Sequence, residues 1–547
     1  MKPKQIPIGK RTRWAVVIVA LLCGLCGSSI ALPLGTTLLG VRAFKQGDCS
    51  TAVKRLNQSA QILKLFGSLP GPTQADIRLW HDYTLLGSQL GQDCQVVLNA
   101  HWTTLADLPT ATVVSSIPHY LALSAQIETD SAQSKLLQPL LQKKGIPQRI
   151  SQATRWLQAV APLLRKRSTW LVLLQNDNEL RATGGFMGSY AVLTLNQGTI
   201  ENISIEDIYD ADGQFTGYFP APAGVSEYLS SGNGLRLPDA NWSPDVPSSI
   251  QQVLGYFAIA DKQNIDGVIT ITNSVIAQIL TLTGPLPLAD YQTSLSADTL
   301  DVVLQNRPQP FFPGSIQKKH MLDQAKNQLL FAMSKLSIED WQKLGQIVAE
   351  QLQAKNIAIF SLDPALYQLL SDSNLTGELR PLEPESELFA IVESNVGINK
   401  SNRWQERSVA LNNNKQQEIT ATLVLQNRAP NTLEPAESRY TNYLRFITDS
   451  NWQLQSVAVD ATDVTDMWNQ DTITTYAGRE LKQVGGLVVV EPGKTVAVEL
   501  VFNRRKDDEN SITLVKQPGL DGTLYQLSSS DNTNSQLLLN HDTLIHL

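Results

Sequence analysis

A charge-free stretch near the N-terminus constrains this chain more than any other feature. Lys2, Lys4, Lys10, Arg11 and Arg13 fall within the first 13 residues, with no acidic residue among them. From Trp14 to Val41 no residue is charged, and Arg42 closes the run. Trp14–Leu32 alone is 19 residues, about 28 Å as a helix at ~1.5 Å per residue, close to the thickness of a bilayer core. Basic residues stay on the cytoplasmic side, so the spacing predicts a single-pass inner-membrane helix, N-terminus inside and the bulk extracytoplasmic. The rival reading is a cleaved signal peptide, with Ser29-Ile30-Ala31 as its small-residue site. The apolar run exceeds the ~7–15 residues of a signal core, which favours the anchor.

The remaining chain is built to fold. Apolar residues are 42% of its 547 residues and charged residues 17%, against a usual charged share of about 25%. That excludes wholesale disorder, and four cysteines exclude a disulfide-rich miniprotein. A pI near 5.5 argues against a nucleic-acid binder. Cys23 and Cys26 lie in the apolar span and read as packing. Cys49 and Cys94 lie beyond it, where an oxidising compartment predicts a disulfide.

The patterning predicts a multidomain α/β plus all-β chain: residues 1–42 the basic tail and membrane helix, 43–165 a helical stalk, 166–400 an α/β domain and 401–547 an Ig-like β-sandwich. In the stalk, helical spacing marks 52–66, 73–90 and 131–164. In the α/β domain, strands are predicted at 170–174, 190–195, 200–205, 266–271 and 357–360, and helices at 250–260, 274–282 and 321–355. Beyond residue 408 alternation takes over, at 418–426, 443–447, 454–459, 486–490 and 495–502.

Three polar clusters carry candidate chemistry. The first runs from Gln175 through Glu179, Arg181, Gly184 and Gly185 to Ser189. It follows an apolar strand, where α/β domains usually place function. Arg181 offers a bidentate fork for phosphate or carboxylate, and the two glycines permit close backbone approach. The bland alternative is a turn with Arg181 paired to Glu179. The second cluster holds Glu206, Asp207, Asp210 and Asp212, a carboxylate set suited to Mg2+ or Ca2+. EF-hand spacing fails, since Ile208 and Phe219 occupy its first and twelfth positions. The third holds Asp239, Asn241, Trp242 and Asp245, suited to a cation or a stacked sugar; the alternative is Trp242 as a core plug. None of the six histidines lies in these clusters and no HExxH is present, which sets aside zinc-hydrolase and Ser-His-Asp chemistry.

The run Gln175-Asn-x-x-Glu179-x-Arg181-x-Thr-Gly-Gly-Phe, with Asp239-x-Asn-Trp-x-Pro-Asp245, Asp266-Gly-Val-Ile and Thr283-Gly-Pro285, resembles an uncharacterised bacterial family, domain of unknown function 4012. Tyr443-Leu-Arg-Phe and Val490-Glu-Pro-Gly-Lys494 resemble its C-terminal part. The resemblance implies a membrane-anchored envelope protein and brings no established activity. The stretch 265–288 is also similar in pattern to the LytR-CpsA-Psr phosphotransferases, which move lipid-pyrophosphate-linked glycopolymers onto peptidoglycan. Arg181 falls at that family's first Arg. Its Ser-Ile-Pro-Arg-Asp motif is reduced here to Ser204-Ile-Glu206-Asp207, without the Pro or the second Arg.

Two functions follow. In one, an envelope protein binds or helps assemble cell-surface glycopolymer, with Glu179, Gly184, Gly185, Asn241 and Trp242 as the ligand-binding set. In the other, a Mg-dependent phosphotransferase attaches lipid-pyrophosphate-linked glycan. There Arg181 clamps phosphate, Asp207 serves catalysis, and Asp210, Asp212, Asp239 and Asp245 supply metal ligands. In either case the partners are the membrane and a glycan or polyprenyl-pyrophosphate.

Overall fold

The computed structural model describes residues 36–43, 46, 48–67, 74–99, 110–230, 232–259, 264–300, 303, 316–413, 418–430, 432–504, 511–528 and 534–546. The expected membrane helix and its rival cleavage site lie outside these residues. Among the described residues, no helix is long and apolar enough to cross a membrane. The chain forms two compact units.

The first unit is helical: α1 (Cys49–Gly67), α2 (Gln74–Asn99), α3 (Thr110–Gln133), α4 (Leu137–Gln142) and α5 (Ile146–Arg165). The Asp48 carboxylate accepts from the Thr51 N–H at 2.9 Å and caps α1. Cys49, at the start of α1, is bonded to Cys94 near the end of α2, with Cα atoms 6.1 Å apart, so the two helices run antiparallel. The expected disulfide is present. Gly91 lets them close up: a Cβ there would meet Val53 Cγ2 at 2.7 Å. Asp76 stitches the unit further, accepting from Ser134 Oγ and from the N–H groups of Leu136 and Leu137. The helix at 110–133 was not among the expected spans. The expected helix over 131–164 is the end of α3, then α4 and α5, the last two parted where Gly145 takes φ +64°. Breaking the disulfide (Cys94→Ser) is expected to cost roughly 2–4 kcal/mol, read as a lower melting midpoint for this unit than wild type shows without reductant.

The second unit begins with a five-stranded sheet. Its strands are β1 (Arg167–Asn176), β2 (Phe186–Asn196), β3 (Thr199–Asp207), β4 (Gly267–Thr272) and, further on, β7 (Ile357–Ser361). Their order is β3-β2-β1-β4-β7; β1 and β4 are parallel, β4 and β7 antiparallel. Between them lie the helices α6 (Ile208–Asp212), α7 (Val225–Tyr228), α8 (Val246–Ile259), α9 (Asn273–Thr283), α10 (Ile316–Met333) and α11 (Ile338–Gln353), and a small ribbon β5 (Leu286–Leu288) with β6 (Thr293–Leu295). α12 (Pro364–Asp372) follows β7. Leu171, Leu173, Val268, Ala358 and Phe360 from the sheet pack with Ile250, Val253, Tyr256 and Phe257 of α8 as one core. The expected single helix over 321–355 is α10 and α11, separated at 334–337.

Two larger sheets follow. One has the order β13 (Thr462–Asp463), β12 (Trp452–Val459), β16 (Thr495–Arg504), β10 (Glu418–Asn427), β9 (Gln405–Asn413), β18 (Thr523–Ser528), β19 (Asn534–Leu539). The other has the order β14 (Asn469–Thr474), β15 (Glu480–Val490), β11 (Tyr440–Asp449), β8 (Glu387–Asn395), β17 (Ser511–Val515), β20 (Thr543–His546). Their inner faces share a core of Phe389, Leu423, Leu444, Trp452, Leu500 and Ile512, with others. Strand β8 pairs with β11 and β17, on the N-terminal side of the expected boundary at 400.

Candidate functional site

The glycine-bearing loop after β1 is a junction. Glu179 N–H donates to the Asn176 carbonyl, and Phe186 N–H to that of Glu179, closing the loop. Gly185 is obligatory here: a Cβ would lie 2.3 Å from the Asn176 carbonyl carbon and oxygen, at φ +155°. Gln517 donates its amide to the Arg181 carbonyl. The Gly184 carbonyl lies so close to Gly519 that a Cβ there would approach it to 2.1 Å. The carboxyl ends of the parallel strands β1 and β4, where open α/β sheets usually bind ligand, are therefore covered by the strand-rich region of the same unit.

Arg181 sits inside this junction, 1% exposed. Its Nε donates to Asp239 Oδ1 at 2.9 Å, Nη1 to the carbonyls of Leu180 and Asn395, and Nη2 to Glu179 Oε1 at 3.3 Å. Burial alone would lower its pKa, but Asp239 and Glu179 outweigh that, so it is raised. Burial pushes Glu179 up against the pull of Arg181. The fork predicted to clamp phosphate is spent on the protein's own carboxylates and carbonyls, which corrects its catalytic assignment. It is also why Glu179, Gly184 and Gly185 do not form a ligand cradle.

The third cluster is structural in the same way. Asn241 donates to Thr183 Oγ1 and the Gly185 carbonyl. Trp242, 4% exposed, lies under the Arg445 guanidinium at 4.5 Å and beside Tyr443, and its carbonyl accepts from Arg445. It is a core plug and not a sugar platform. Asp245 is fully buried and accepts from the N–H groups of Ser248, Leu379 and Tyr476. The four expected metal ligands go separate ways. Asp212 is clamped by Arg236 and also accepts from Leu237 N–H, Asp239 holds Arg181, and Asp245 caps backbone. Among the described residues, no group of three or more His, Cys, Asp or Glu is placed to hold a metal ion. Asp207 accepts from Tyr209 N–H and caps α6, so its expected catalytic part becomes a helix cap.

Of the expected acids, Asp210 lines a cavity of about 410 Å3. It opens beside the start of β1, away from the covered strand ends. Leu171, Val192, Phe257 and Ile265 give it an apolar side. Glu206, Asp210, Gln214, Ser204 and Thr169 give it a polar one. Tyr190 stands between them, edge-on to Phe257 at 5.2 Å. Burial, then Glu206 and Asp210, keeps its phenol protonated well above the usual range, so its hydroxyl is a donor at any working pH. Lys319 on α10 reaches both oxygens of Glu206, at 2.9 and 2.8 Å, and that contact raises its own pKa. Among the described residues, the cavity lining includes two carboxylates and no Arg or Lys. Sequence reasoning passed over Tyr190, Gln214 and Phe257. The usable signal was alternation, which puts Tyr190 with Val192, and Ser204 with Glu206, on shared strand faces.

Comparisons with known proteins agree with the sequence motifs on one point. Residues 166–308 match the family model described as Protein of unknown function (DUF4012). This is the family whose motifs the sequence carries, and the match spans the five-stranded sheet through β4 together with the junction loop and the cavity. The similarity to LytR-CpsA-Psr phosphotransferases is not shown. No curated protein matches the chain. Among solved structures, a Legionella pneumophila protein described as a candidate nutrient binding protein aligns at 11% identity, with a TM-score of 0.17. The alignment covers 26% of this chain and 54% of that one, and a likeness this low carries no argument.

Proposed function

We propose that this DUF4012 protein is a membrane-anchored, extracytoplasmic envelope protein that binds the saccharide part of a cell-surface glycopolymer. Its site is the cavity over β1–β3. The observation that carries the reading is the lining. Its apolar wall with Tyr190 and Phe257 suits the C–H face of a sugar ring. The carboxylates accept, and the Tyr190 hydroxyl and Gln214 amide donate, which is the mixture that neighbouring hydroxyls require. At about 410 Å3 the cavity falls within the range of small-ligand sites. Among the described residues that lining offers a pyrophosphate no Arg or Lys, so the sugar is the favoured end of a lipid-linked glycan. The basic N-terminal head and apolar run support the anchor, and the two facing sheets support an Ig-like sandwich. A phosphotransferase needs Arg181 at a ligand, and its present partners leave that reading without support.

The test is a titration of the purified chain with short oligosaccharides, neutral and amino-sugar-bearing, beside two cavity variants. Asp210→Asn is expected to weaken binding about tenfold or more, since a hydrogen bond to a charged group contributes ~1.5–3 kcal/mol. Val192→Trp fills the cavity and is expected to abolish binding. No binding by wild type, or equal binding by Val192→Trp, would contradict the proposal.

A further inference from the structure

Two lysines and one carboxylate share a buried corner of the second unit. The side chains of Lys355 and Asp542 are 2% and 3% exposed, and Lys355 Nζ lies 2.5 Å from Asp542 Oδ2. The other carboxylate oxygen accepts the Lys516 backbone N–H at 2.9 Å, which fixes the carboxyl group. Lys355 is held on its side too: its backbone is at φ +60° and its N–H donates to the Leu352 carbonyl. Lys516 is 4% exposed, and its Nζ donates to the carbonyls of Ala354 at 2.9 Å and Gln517 at 3.0 Å. A void of about 10 Å3 is lined by both lysines, close to the least space that holds one water.

The charge does not balance within this trio. Burial, then repulsion by Lys355, pulls the Lys516 amine down from 10.5 to about 7. The corner thus sets an ammonium against a carboxylate, with space for about one water.

We infer that Lys355 and Asp542 condense into an intramolecular isopeptide bond. The Lys355 ammonium passes one proton to Asp542 Oδ2, its contact at 2.5 Å. The freed Nζ lone pair attacks Asp542 Cγ and the C–N bond forms. The same oxygen then takes a second proton from Nζ. It leaves as water with the C–O bonding electrons. An ammonium and a carboxylate become one amide and one water, with no oxidant or co-reactant. Exclusion of bulk water disfavours the reverse hydrolysis. The product ties the C-terminal segment covalently to Lys355, just beyond the end of α11.

The test is peptide mapping by mass spectrometry on the full chain, purified at neutral pH and digested under denaturing, reducing conditions. The expected result is one branched peptide joining the Lys355 and Asp542 fragments, lighter than their sum by one water. It should be absent from Lys355→Met and from Asp542→Ala. Two separate, unmodified peptides from wild type aged for days at neutral pH would overturn the proposal, and this outcome depends on no variant folding.

Discussion

The Arg181→Ala protein is expected to lose about 3–5 kcal/mol of stability, the usual cost of removing one partner from a buried ion pair. Asp239 and Glu179 would face each other without the cation that separates them, and the Leu180 and Asn395 carbonyls would each lose a donor. The partners lie far apart in sequence, so the damage spreads across the α/β sheet and the strand-rich region together. A urea or thermal melt should show a lowered midpoint for the second unit, with the helical unit unchanged. Arg181→Lys should recover little, because a point charge on a flexible stem cannot serve four acceptors set by a planar fork. The folded fraction of Arg181→Ala should still bind saccharide at the wild-type affinity. Loss of binding from a stably folded variant would instead return Arg181 to a ligand site.

The second large effect concerns pH. Lys516 is depressed in the folded state, to about 7 from 10.5. Below pH 7 both folded and unfolded chains carry its proton, and the folded state bears the full cost of a buried ammonium. Between pH 7 and about 10 the unfolded chain keeps the proton and the folded chain does not. The unfolded state then binds more protons, so stability rises with pH. The whole effect is on the order of 5 kcal/mol. Above pH 10 the buried tyrosines act with the opposite sign. Burial and then Glu393 raise Tyr440, and burial raises Tyr525, so the folded state holds their protons longer and stability falls. Urea midpoints at pH 7.5, 8.5 and 9.5 should climb for wild type and stay level for Lys516→Met. Burial is the larger cause, so the climb should persist when the Lys355 charge is consumed by an amide. A flat wild-type profile would mean that Lys516 is solvated.

The elements were legible where one local rule decides them. The apolar run at 170–174 and the alternation of 418–426 against 495–502 each state their own structure. The Cys49–Cys94 pair followed from compartment and parity. What escaped was set by distant residues. Arg181 looked like a ligand-binding cation because it follows a strand on a Gly-rich loop. Its decisive partners, Asp239 and Asn395, lie 58 and 214 positions away. The same loop chemistry that cradles a phosphate also lets two parts of one unit approach backbone to backbone, as Gly184 and Gly519 do. The cavity drew on β1, β2, β3, α6 and α8, and no single stretch of sequence gathers them.

The most direct test of the central claim is hydrogen exchange of the full chain with and without saturating oligosaccharide. Slower exchange on binding is expected at 169–171, 190–192 and 204–214, around the cavity, with no change at 176–185 or 239–245. Protection confined to the Arg181 loop and the Asp239–Asp245 segment would contradict cavity binding, placing the ligand at the junction that Arg181, Asn241 and Trp242 fill.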